Sequence, residues 1–315
     1  MKENSNISNI SIIGNTTWGQ AIATLINKEK AGVQILCRTE LEAKNRINKI
    51  DKLKSLPSSI QLSSDISTID NSELIIFAFP SQSMRSNLNI IYNNLNQNHK
   101  FLIASKGIEK TSGKRLSEVL TEEITFIKEK NISILSGPNL AKEIYENKTT
   151  STVIASKNFS LLNNIKTVIE SNKFKIYLSD DTIGVELGGA LKNIVTLGAG
   201  ICDGLNIGNN LKGAFISIAF SEIVKLALLA GAQTVTISGL SGLGDILASS
   251  YSPLSRNRLA GQYLAEGYSI NTINKKINNI IEGLDTLYGA KALSEKLNTD
   301  HTFIDLLIDV FNKKK

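Results

Sequence analysis

The feature that most constrains the fold of this 315-residue chain is the alternation of short apolar runs with helical patterns over its first half. The apolar runs are rich in β-branched residues, as strands are, and their lack of polar alternation is typical of strands buried on both faces. Such an alternation predicts a doubly wound parallel sheet covered by helices. The predicted strands are 9–14, 32–38, 73–80, 100–107, 131–138, 150–156 and 174–180, and the helices between them include 18–30, 111–130 and 158–171.

The pattern changes near residue 181, after which helical periodicity replaces the strand signal. A Rossmann-like dinucleotide-binding domain is therefore predicted at 1–181 and an α-helical substrate-binding domain at 182–315. Ligands of open α/β sheets bind beyond the carboxyl ends of the strands, so a helical domain over that edge would enclose a cleft. The predicted helices of the second domain are 182–203, 209–230, 256–266, 270–281, 286–297 and 302–312.

Composition narrows the class of partner. Lys plus Arg number 35 and Asp plus Glu 29, a net charge of +6 that fits an anionic small molecule. The chain lacks the dense basic cluster with interleaved aromatics of a nucleic-acid binder. Cys37 and Cys202 are its two cysteines, which give neither a disulfide framework nor a metal-binding spacing. No signal-peptide core and no apolar run of about 18 residues stand out, so we expect a cytoplasmic protein without stable membrane insertion.

The stretch "GNTTWG" (14–19) follows the first predicted strand and resembles a dinucleotide-binding turn. Gly14 suits the tight turn, Gly19 suits close packing of helix on strand, and the helix N-terminus favours a pyrophosphate. Thr16 stands where the usual fingerprint has its middle glycine, so its Cβ would restrict the approach of the phosphate. The phosphate would then be slightly displaced, or bonded by the hydroxyl of Thr16 or Thr17. An ordinary strand-to-helix turn is the alternative.

The end of the second predicted strand bears on the choice of cofactor. Arg38 lies about 20 residues past the turn, where an acidic residue binds the ribose 2′-hydroxyl and a basic one suits a 2′-phosphate. Its guanidinium therefore favours NADP(H), while Glu40, two residues later, keeps NAD(H) open. A solvated arginine at a strand end is the alternative.

Two further strand ends carry candidate residues at the edge where ligands bind. Lys106 follows "IAS" and precedes a glycine, and "SGPNLAKE" places Gly137 at a strand end before a helix that contains Ala141. Each of the two segments is equally compatible with an ordinary loop.

The segment "GVELGGALKNIVTLGAGICDG" predicts a helix with six glycines, each costing roughly 1 kcal/mol relative to alanine. Another segment must therefore approach this helix closely. Gly189, Lys192 and Thr196 share one face of it. Lys192 fits a lysine held in a cleft as a proton donor and acceptor. The alternative is a lysine whose stem covers apolar surface while its head reaches water.

The second domain adds an anion-binding pattern. Ser255, Arg256 and Asn257 form a donor set at a predicted helix start, which suits a phosphate; a solvated helix N-terminus is the alternative. Asp245 follows the glycine-rich "GLSGLG", where a helix N-cap is the structural interpretation. Glu282 and Gly283 are predicted to lie at a helix end.

Taken in order, "GNTTWG", "SKG", "SGPNLAKE", "GVELGGALKN", "GLGD", "SRN" and "EG" resemble the motifs of bacterial NAD(P)-dependent glycerol-3-phosphate dehydrogenases, over residues 10 to 300. The resemblance implies an enzyme that reduces dihydroxyacetone phosphate, a small phosphorylated three-carbon substrate, to sn-glycerol 3-phosphate for phospholipid synthesis. It implies Lys192 as the catalytic, proton-handling residue and no metal. It implies cofactor contacts from Thr17, Trp18, Arg38, Lys106, Ala141, Arg256 and Glu282. It implies substrate contacts from Lys106, Gly137, Asn139, Lys192, Asp245, Ser255, Arg256 and Asn257.

Three departures from the family pattern are Thr16, Asn139 in place of Thr or Ser, and Lys212 where an arginine is frequent. The rival interpretations are a β-hydroxyacid or 6-phosphogluconate-type dehydrogenase, which shares the two-domain plan, and a non-catalytic nucleotide-binding protein. Base rates for soluble enzymes favour a homodimer.

Overall fold

The computed structural model describes residues 7–51, 55–277 and 281–312. In this part of the chain an eight-stranded sheet occupies the first domain, with helices on both faces. Its strands are β1 Asn9–Ile13, β2 Gly32–Leu36, β3 Ile60–Ser63, β4 Leu74–Phe77, β5 Lys100–Ile103, β6 Ile132–Ser136, β7 Thr150–Ala155 and β8 Phe174–Ser179. The helices among them are α1 Thr17–Leu25, α2 Glu40–Asn45, α3 Met84–Ile91, α4 Leu116–Glu123, α5 Ala141–Tyr145 and α6 Phe159–Ile169.

The strand order is β3-β2-β1-β4-β5-β6-β7-β8, which confirms the Rossmann-like fold class. The prediction of a parallel sheet is wrong at one place, because β6 and β7 pair antiparallel. The segment between them contains only the five-residue helix α5, which at about 1.5 Å per residue is too short to cross the face of the sheet. β3 was not predicted: its "IQLS" is a short edge strand with little apolar signal.

The sheet is buried on both faces because adjacent strand residues point in opposite directions. Ile12 and Ile76 lie in a core shared with α1 and α6. Their neighbours Ile13 and Phe77 lie in the opposite core, shared with α3 and α4. The order of strands reverses between β1 and β4, so the crevice at their carboxyl ends is the expected ligand site.

As predicted, the described residues of the second domain form helices and connecting loops without a strand, around a separate apolar core. Two predictions here and one in the first domain are wrong. No helix was predicted over 234–251, where three short helical segments occur. Glu282 was predicted to lie at a helix end, but it is the first residue of α13. In the first domain, the predicted helix 111–130 is helical mainly over α4. Part of the predicted helix 270–281 lies outside the described residues. The helices are α7 Thr182–Gly204, α8 Gly208–Leu229, α9 Thr234–Ile237, a π-helical turn Leu240–Gly244, α10 Asp245–Tyr251, α11 Arg256–Ala265, α12 Ile270–Ile277, α13 Glu282–Lys296 and α14 Thr302–Asn312.

The glycine-rich helix α7 is the centre of this domain. A Cβ at Gly200 would lie 1.9 Å from the carbonyl oxygen of Arg258, and one at Gly261 would lie 1.9 Å from that of Leu197. Glycines on α7 and α11 therefore allow the two helices to pack backbone against backbone, as the prediction of a close approach required.

By length and composition α7 also qualifies as a membrane-spanning helix, contrary to the expectation that no apolar run comes near that length. However, 89% of its most apolar window is buried inside the protein. It is therefore a buried core helix, which explains its apolar composition.

Candidate active site

One buried carboxylate brings the two domains together. Asp245, at the start of α10, accepts a hydrogen bond from Lys106 Nζ at 2.6 Å and from Lys192 Nζ at 3.0 Å. Lys106 follows β5 in the first domain, and Lys192 lies on α7 in the second. The side chains of the two lysines are 14% and 12% exposed and that of Asp245 is 3% exposed, so this triad is nearly withdrawn from water. The structure thus joins three residues that the sequence separates widely.

The close approach of α7 to β6 makes this geometry possible. A Cβ at Gly189 would lie 2.4 Å from Ser136 Oγ and 3.6 Å from Lys106 Cγ. Without a side chain there, Lys106 extends past α7 and also donates to the Gly137 carbonyl at 2.9 Å. Gly189 therefore has a steric role in the site.

The structure gives Asp245 a role other than the helix cap considered from the sequence. Gly244 holds the N-cap position of α10, Asp245 is the first helical residue, and its carboxylate binds the two lysines. Ser249, one turn later, accepts from Lys192 Nζ at 2.9 Å and donates to Asp245 Oδ1 at 3.0 Å. Sequence reasoning missed Ser249, whose only signal is its i+4 position relative to Asp245.

Burial and charge act in opposite directions on the triad. Burial raises the pKa of the Asp245 carboxyl, but the ammonium groups of Lys106 and Lys192 outweigh it and hold the pKa below its ordinary value. Burial lowers the pKa of Lys106, and the attraction of Asp245 opposes this only in part. Two cations share one anion, so the triad carries a net positive charge suited to an anionic substrate.

Glu282 and Arg256 lie at the edge of the same cleft. Burial raises the pKa of the Glu282 carboxyl, while the nearby cations Arg256, Lys192 and Lys106 oppose that rise. Arg256 is exposed at the first turn of α11, and its guanidinium makes no hydrogen bond or salt bridge with any residue that the structure describes. It is therefore available to an anion.

The neighbours of Arg256 hold the helices together. Ser255 caps α11 by accepting from the N–H of Arg258 at 3.4 Å. Asn257 donates to Asn193 Oδ1 at 2.8 Å and accepts from the N–H of Gly283 at 3.0 Å, which ties α11 to α7 and α13. Sequence reasoning missed Asn193, which is next to Lys192 and whose buried Nδ2 donates to no described residue.

The turn after β1 has the geometry of a dinucleotide cradle. Gly14 has a φ of +115°, and a Cβ there would lie 2.8 Å from the carbonyl oxygen of Ala78. A Cβ at Gly19 would lie 2.2 Å from the carbonyl oxygen of Gly14, so α1 packs directly on the turn. Both glycines therefore fit the steric roles expected from the sequence.

Thr16 is an internal cap of the turn. Its hydroxyl donates to the Ala78 carbonyl at 2.6 Å and accepts from the N–H of Gly19 at 2.9 Å. Because its single proton is used, the expectation that Thr16 bonds a phosphate does not fit this structure. The N–H groups of Thr17 and Trp18 and the Thr17 hydroxyl have no acceptor within the described residues, so they remain free for an anion at the start of α1.

The remaining candidates surround this turn. Trp18 donates through Nε1 to the Ala104 carbonyl at 2.8 Å, and Ala141 packs against the same core as Trp18. Arg38 lies exposed beyond β2, and its guanidinium bonds to no residue in the described ranges; only its backbone N–H donates, to Glu42 at 3.0 Å.

Asn139 and Lys212 serve structural contacts. The Asn139 side chain donates to the Ser151 carbonyl at 3.1 Å and accepts from the Thr152 hydroxyl at 2.9 Å, which fastens the loop after β6 to β7. Lys212 is buried and binds the Asp203 carboxylate at 2.8 Å and the Ser250 carbonyl at 2.9 Å. Asp203 therefore neutralises the charge of Lys212. Because this lysine is used in a contact inside the protein, its replacement of an arginine does not remove a ligand from the candidate anion site.

A Rossmann-like sheet with a dinucleotide cradle, closed by a helical domain that supplies a lysine to the cleft, defines a two-domain dinucleotide-dependent oxidoreductase. Residues 9–162 match the sequence model of the NAD-dependent glycerol-3-phosphate dehydrogenase N-terminus, and residues 181–315 match that of its C-terminus. The chain belongs to the NAD-dependent glycerol-3-phosphate dehydrogenase family.

Individual relatives agree with this assignment. A glycerol-3-phosphate dehydrogenase [NAD(P)+] of Dehalococcoides mccartyi is 37% identical over 93% of this chain and 84% of its own length. The enzyme of the same name from Fusobacterium nucleatum is 33% identical over 97% of this chain and 93% of its own. The crystal structure of glycerol-3-phosphate dehydrogenase from Coxiella burnetii superposes with a TM-score of 0.91 at 25% identity, covering 98% of this chain and 96% of that one.

Proposed function

We propose that this protein reduces dihydroxyacetone phosphate to sn-glycerol 3-phosphate with NAD(P)H, reversibly, and so supplies the glycerol backbone of phospholipids. Its relatives from Dehalococcoides mccartyi and Fusobacterium nucleatum are glycerol-3-phosphate dehydrogenases [NAD(P)+]. The observation that carries the assignment to these residues is the triad Lys106–Asp245–Lys192 at the carboxyl edge of the sheet. Its two lysines and Arg256 act electrostatically on the same carboxyl, that of Glu282.

The residues at the switch point fit the cofactor. The N–H groups of Thr17 and Trp18 at the start of α1 would hold the pyrophosphate, in a turn whose tight packing Gly14 and Gly19 allow. Arg38 would hold the 2′-phosphate of NADPH. Trp18, Ala141 and Glu282 would line the rest of this site. When bound, the reduced cofactor supplies a hydride to C2 of the substrate. We infer a preference for NADPH over NADH from the exposed guanidinium of Arg38, which bonds to none of the described residues.

The second domain binds the substrate. Arg256 would bind its phosphate as a planar fork, in front of the N-terminus of α11 that Ser255 caps. Asn257 would act mainly by fixing α11 to α7, since both ends of its amide are already bonded. Gly137 and Asn139 would shape the wall of the cleft after β6. Holding the phosphate fixes the C2 carbonyl next to the lysines, and such positioning lowers the barrier substantially.

Lys192 handles the proton. In the reduction it donates a proton from Nζ to the C2 oxygen as the alkoxide forms, and in the oxidation it removes that proton from the hydroxyl. Asp245 and Ser249 fix the Nζ of Lys192 from two sides, at 3.0 and 2.9 Å. Lys106, bound to the other carboxylate oxygen, places a second positive charge where negative charge develops on the substrate.

We also propose that the enzyme works as a cytoplasmic homodimer. Helix α8 has an apolar composition yet leaves Leu211, Ile218 and Leu229 each more than half exposed. These three side chains recur at near-helical spacing, so they form one apolar stripe that a second copy of the chain would cover. Ile218→Lys should convert the dimer to a monomer in light scattering, while Leu41→Lys, at an exposed apolar residue on α2, should leave the mass unchanged.

The test of the function is an assay of NADPH oxidation with dihydroxyacetone phosphate, repeated with NADH. Activity with this substrate and none with 6-phosphogluconate or β-hydroxyacids (assayed in the oxidative direction) would exclude the related dehydrogenases. Absence of turnover together with weak cofactor binding would instead favour the non-catalytic nucleotide-binding protein. Trp18, the only tryptophan, lies at the cofactor turn and reports binding by its fluorescence.

A further inference from the structure

A second buried carboxylate, outside the cleft, also joins the two domains. Glu186 lies on α7, is 4% exposed and accepts hydrogen bonds from three donors in the first domain. These are the N–H of Ser117 at 2.8 Å, the hydroxyl of Ser117 at 2.5 Å and Nη1 of Arg115 at 3.2 Å. The carboxylate of one domain thus caps the N-terminus of helix α4 in the other.

The residue before Glu186 strengthens this junction. Val185 is fully buried and packs in the core between the sheet, α3 and α4, whereas Leu187 packs in the core of the helical domain. The beginning of α7 is therefore shared by both domains. Lys192 follows on the same helix less than two turns later.

Arg115, which binds Glu186, belongs to the same loop as Lys106. Arg115 forms an antiparallel bridge with Ile108, and the N–H of Glu109 donates to the Lys114 carbonyl at 2.8 Å. The segment from Lys106 to Arg115 is therefore a loop closed at its base. Glu186 holds that base, while its own helix carries Lys192.

We infer that Glu186 is a positioning residue for the dehydrogenase reaction: its contacts with Arg115 and Ser117 fix the Lys106 loop against α7, so that Lys106 and Lys192 reach the same carboxylate of Asp245. This inference rests on the proposed function. A small displacement of either lysine would separate the proton donor from the second cation, and misplacement by about 1 Å can cost a hundredfold in rate.

The chain offers a matched control in Glu118. This residue also caps α4, by accepting from the N–H of Arg115 at 2.8 Å, and it also pairs with the Arg115 guanidinium at 3.3 Å, but it has no hydrogen bond to α7. A role of Glu186 confined to the stability of α4 would therefore be reproduced by Glu118→Gln. A role in positioning α7 would not.

The experiment compares Glu186→Gln, Arg115→Gln, their double variant and Glu118→Gln with the full-length enzyme in steady-state reduction of dihydroxyacetone phosphate by NADPH. We expect kcat to fall about tenfold in Glu186→Gln and Arg115→Gln, with little change in KM or in NADPH affinity measured by Trp18 fluorescence. The double variant should lose no more than Glu186→Gln alone, because Arg115 contacts α7 through Glu186. Glu118→Gln should keep kcat and lose only thermal stability.

Two results would overturn the inference: a kcat of Glu186→Gln equal to that of the wild type, or an equal loss of kcat in Glu118→Gln. If Glu186→Gln does not fold, Arg115→Gln decides the question by the same criteria, since the Arg115 side chain is partly exposed. A wild-type enzyme without activity on dihydroxyacetone phosphate would refute the proposed function instead, so the two failures are distinguishable.

Discussion

Lys106 and Lys192, which come from different domains, bind different oxygens of the same Asp245 carboxylate, at 2.6 and 3.0 Å. The two ammonium groups would repel each other without it, so the carboxylate sets the distance between them. The contact between the domains therefore also fixes the positions of the two cations. This relationship makes Asp245 important to both stability and turnover.

Replacing Asp245 by asparagine should destabilise the protein at neutral pH by about 3–5 kcal/mol, because two buried lysines lose their counter-ion. The pKa of Asp245 in the folded protein is below the ordinary value of 3.8. Its stabilisation is therefore complete at neutral pH and is lost as the pH falls below 3.8 and through the folded-state pKa. Urea unfolding of wild type and Asp245→Asn should show a difference that shrinks on acidification. A difference independent of pH would contradict this account.

Replacement by valine should affect stability at Thr16 and cofactor binding at Thr17. Thr16→Val removes the cap of α1 and should lower the free energy of unfolding by about 1 kcal/mol, with the KM for NADPH unchanged. Thr17→Val removes a hydroxyl that has no described partner, and the loss of its bond to a charged phosphate should raise that KM about tenfold. Thermal unfolding and steady-state kinetics of the two variants check this. A raised KM in Thr16→Val alone would restore Thr16 as a phosphate contact.

Arg38 should determine the preference for NADPH. In Arg38→Ala the 2′-phosphate loses a charge-assisted hydrogen bond, worth about 1.5–3 kcal/mol, so kcat/KM with NADPH should fall at least tenfold. The same variant should keep its kcat/KM with NADH, which has no 2′-phosphate. Parallel assays with the two cofactors measure this, and an equal loss with both would show that Arg38 contributes to something other than the 2′-phosphate.

Arg256 should recognise the phosphate of the substrate. Arg256→Ala should raise the KM for dihydroxyacetone phosphate about thirtyfold, and Arg256→Lys should recover only part of that loss, because a lysine does not form a planar fork. Turnover of unphosphorylated dihydroxyacetone at high concentration serves as the control and should not change. If Arg256→Ala slowed both substrates equally, the phosphate would have to bind elsewhere.

Much of the fold follows from local sequence pattern, and its exceptions have physical causes. The buried strands of the sheet were predicted because short apolar runs rich in β-branched residues are typical of strands buried on both faces. The antiparallel pairing of β6 and β7 depends on the chain path across the sheet, which no local pattern records. The short helices over 234–251 were missed because glycines and β-branched residues weaken a helical signal there.

The sequence named most residues of the candidate site, but it did not predict the contact that each one makes. Lys106, Lys192 and Asp245 were named, and the structure brings them together. Thr16, Asn139 and Asn257 were named as ligand contacts, but their polar side chains are bonded within the protein. Glu186 and Ser249 were missed. The partners of Glu186 are distant in sequence, and Ser249 contacts Asp245 only because one helical turn separates them.

The most direct test of the central claim is the turnover of Lys192→Ala with NADPH and saturating dihydroxyacetone phosphate. General acid catalysis contributes about 10²–10⁴-fold, so kcat should fall by that factor while NADPH binding, followed by Trp18 fluorescence, stays as in the wild type. The control is Ser217→Ala, at an exposed residue on α8, which is purified in the same way and should keep full activity. A Lys192→Ala enzyme with near-normal kcat would contradict the assignment of Lys192 as the proton donor.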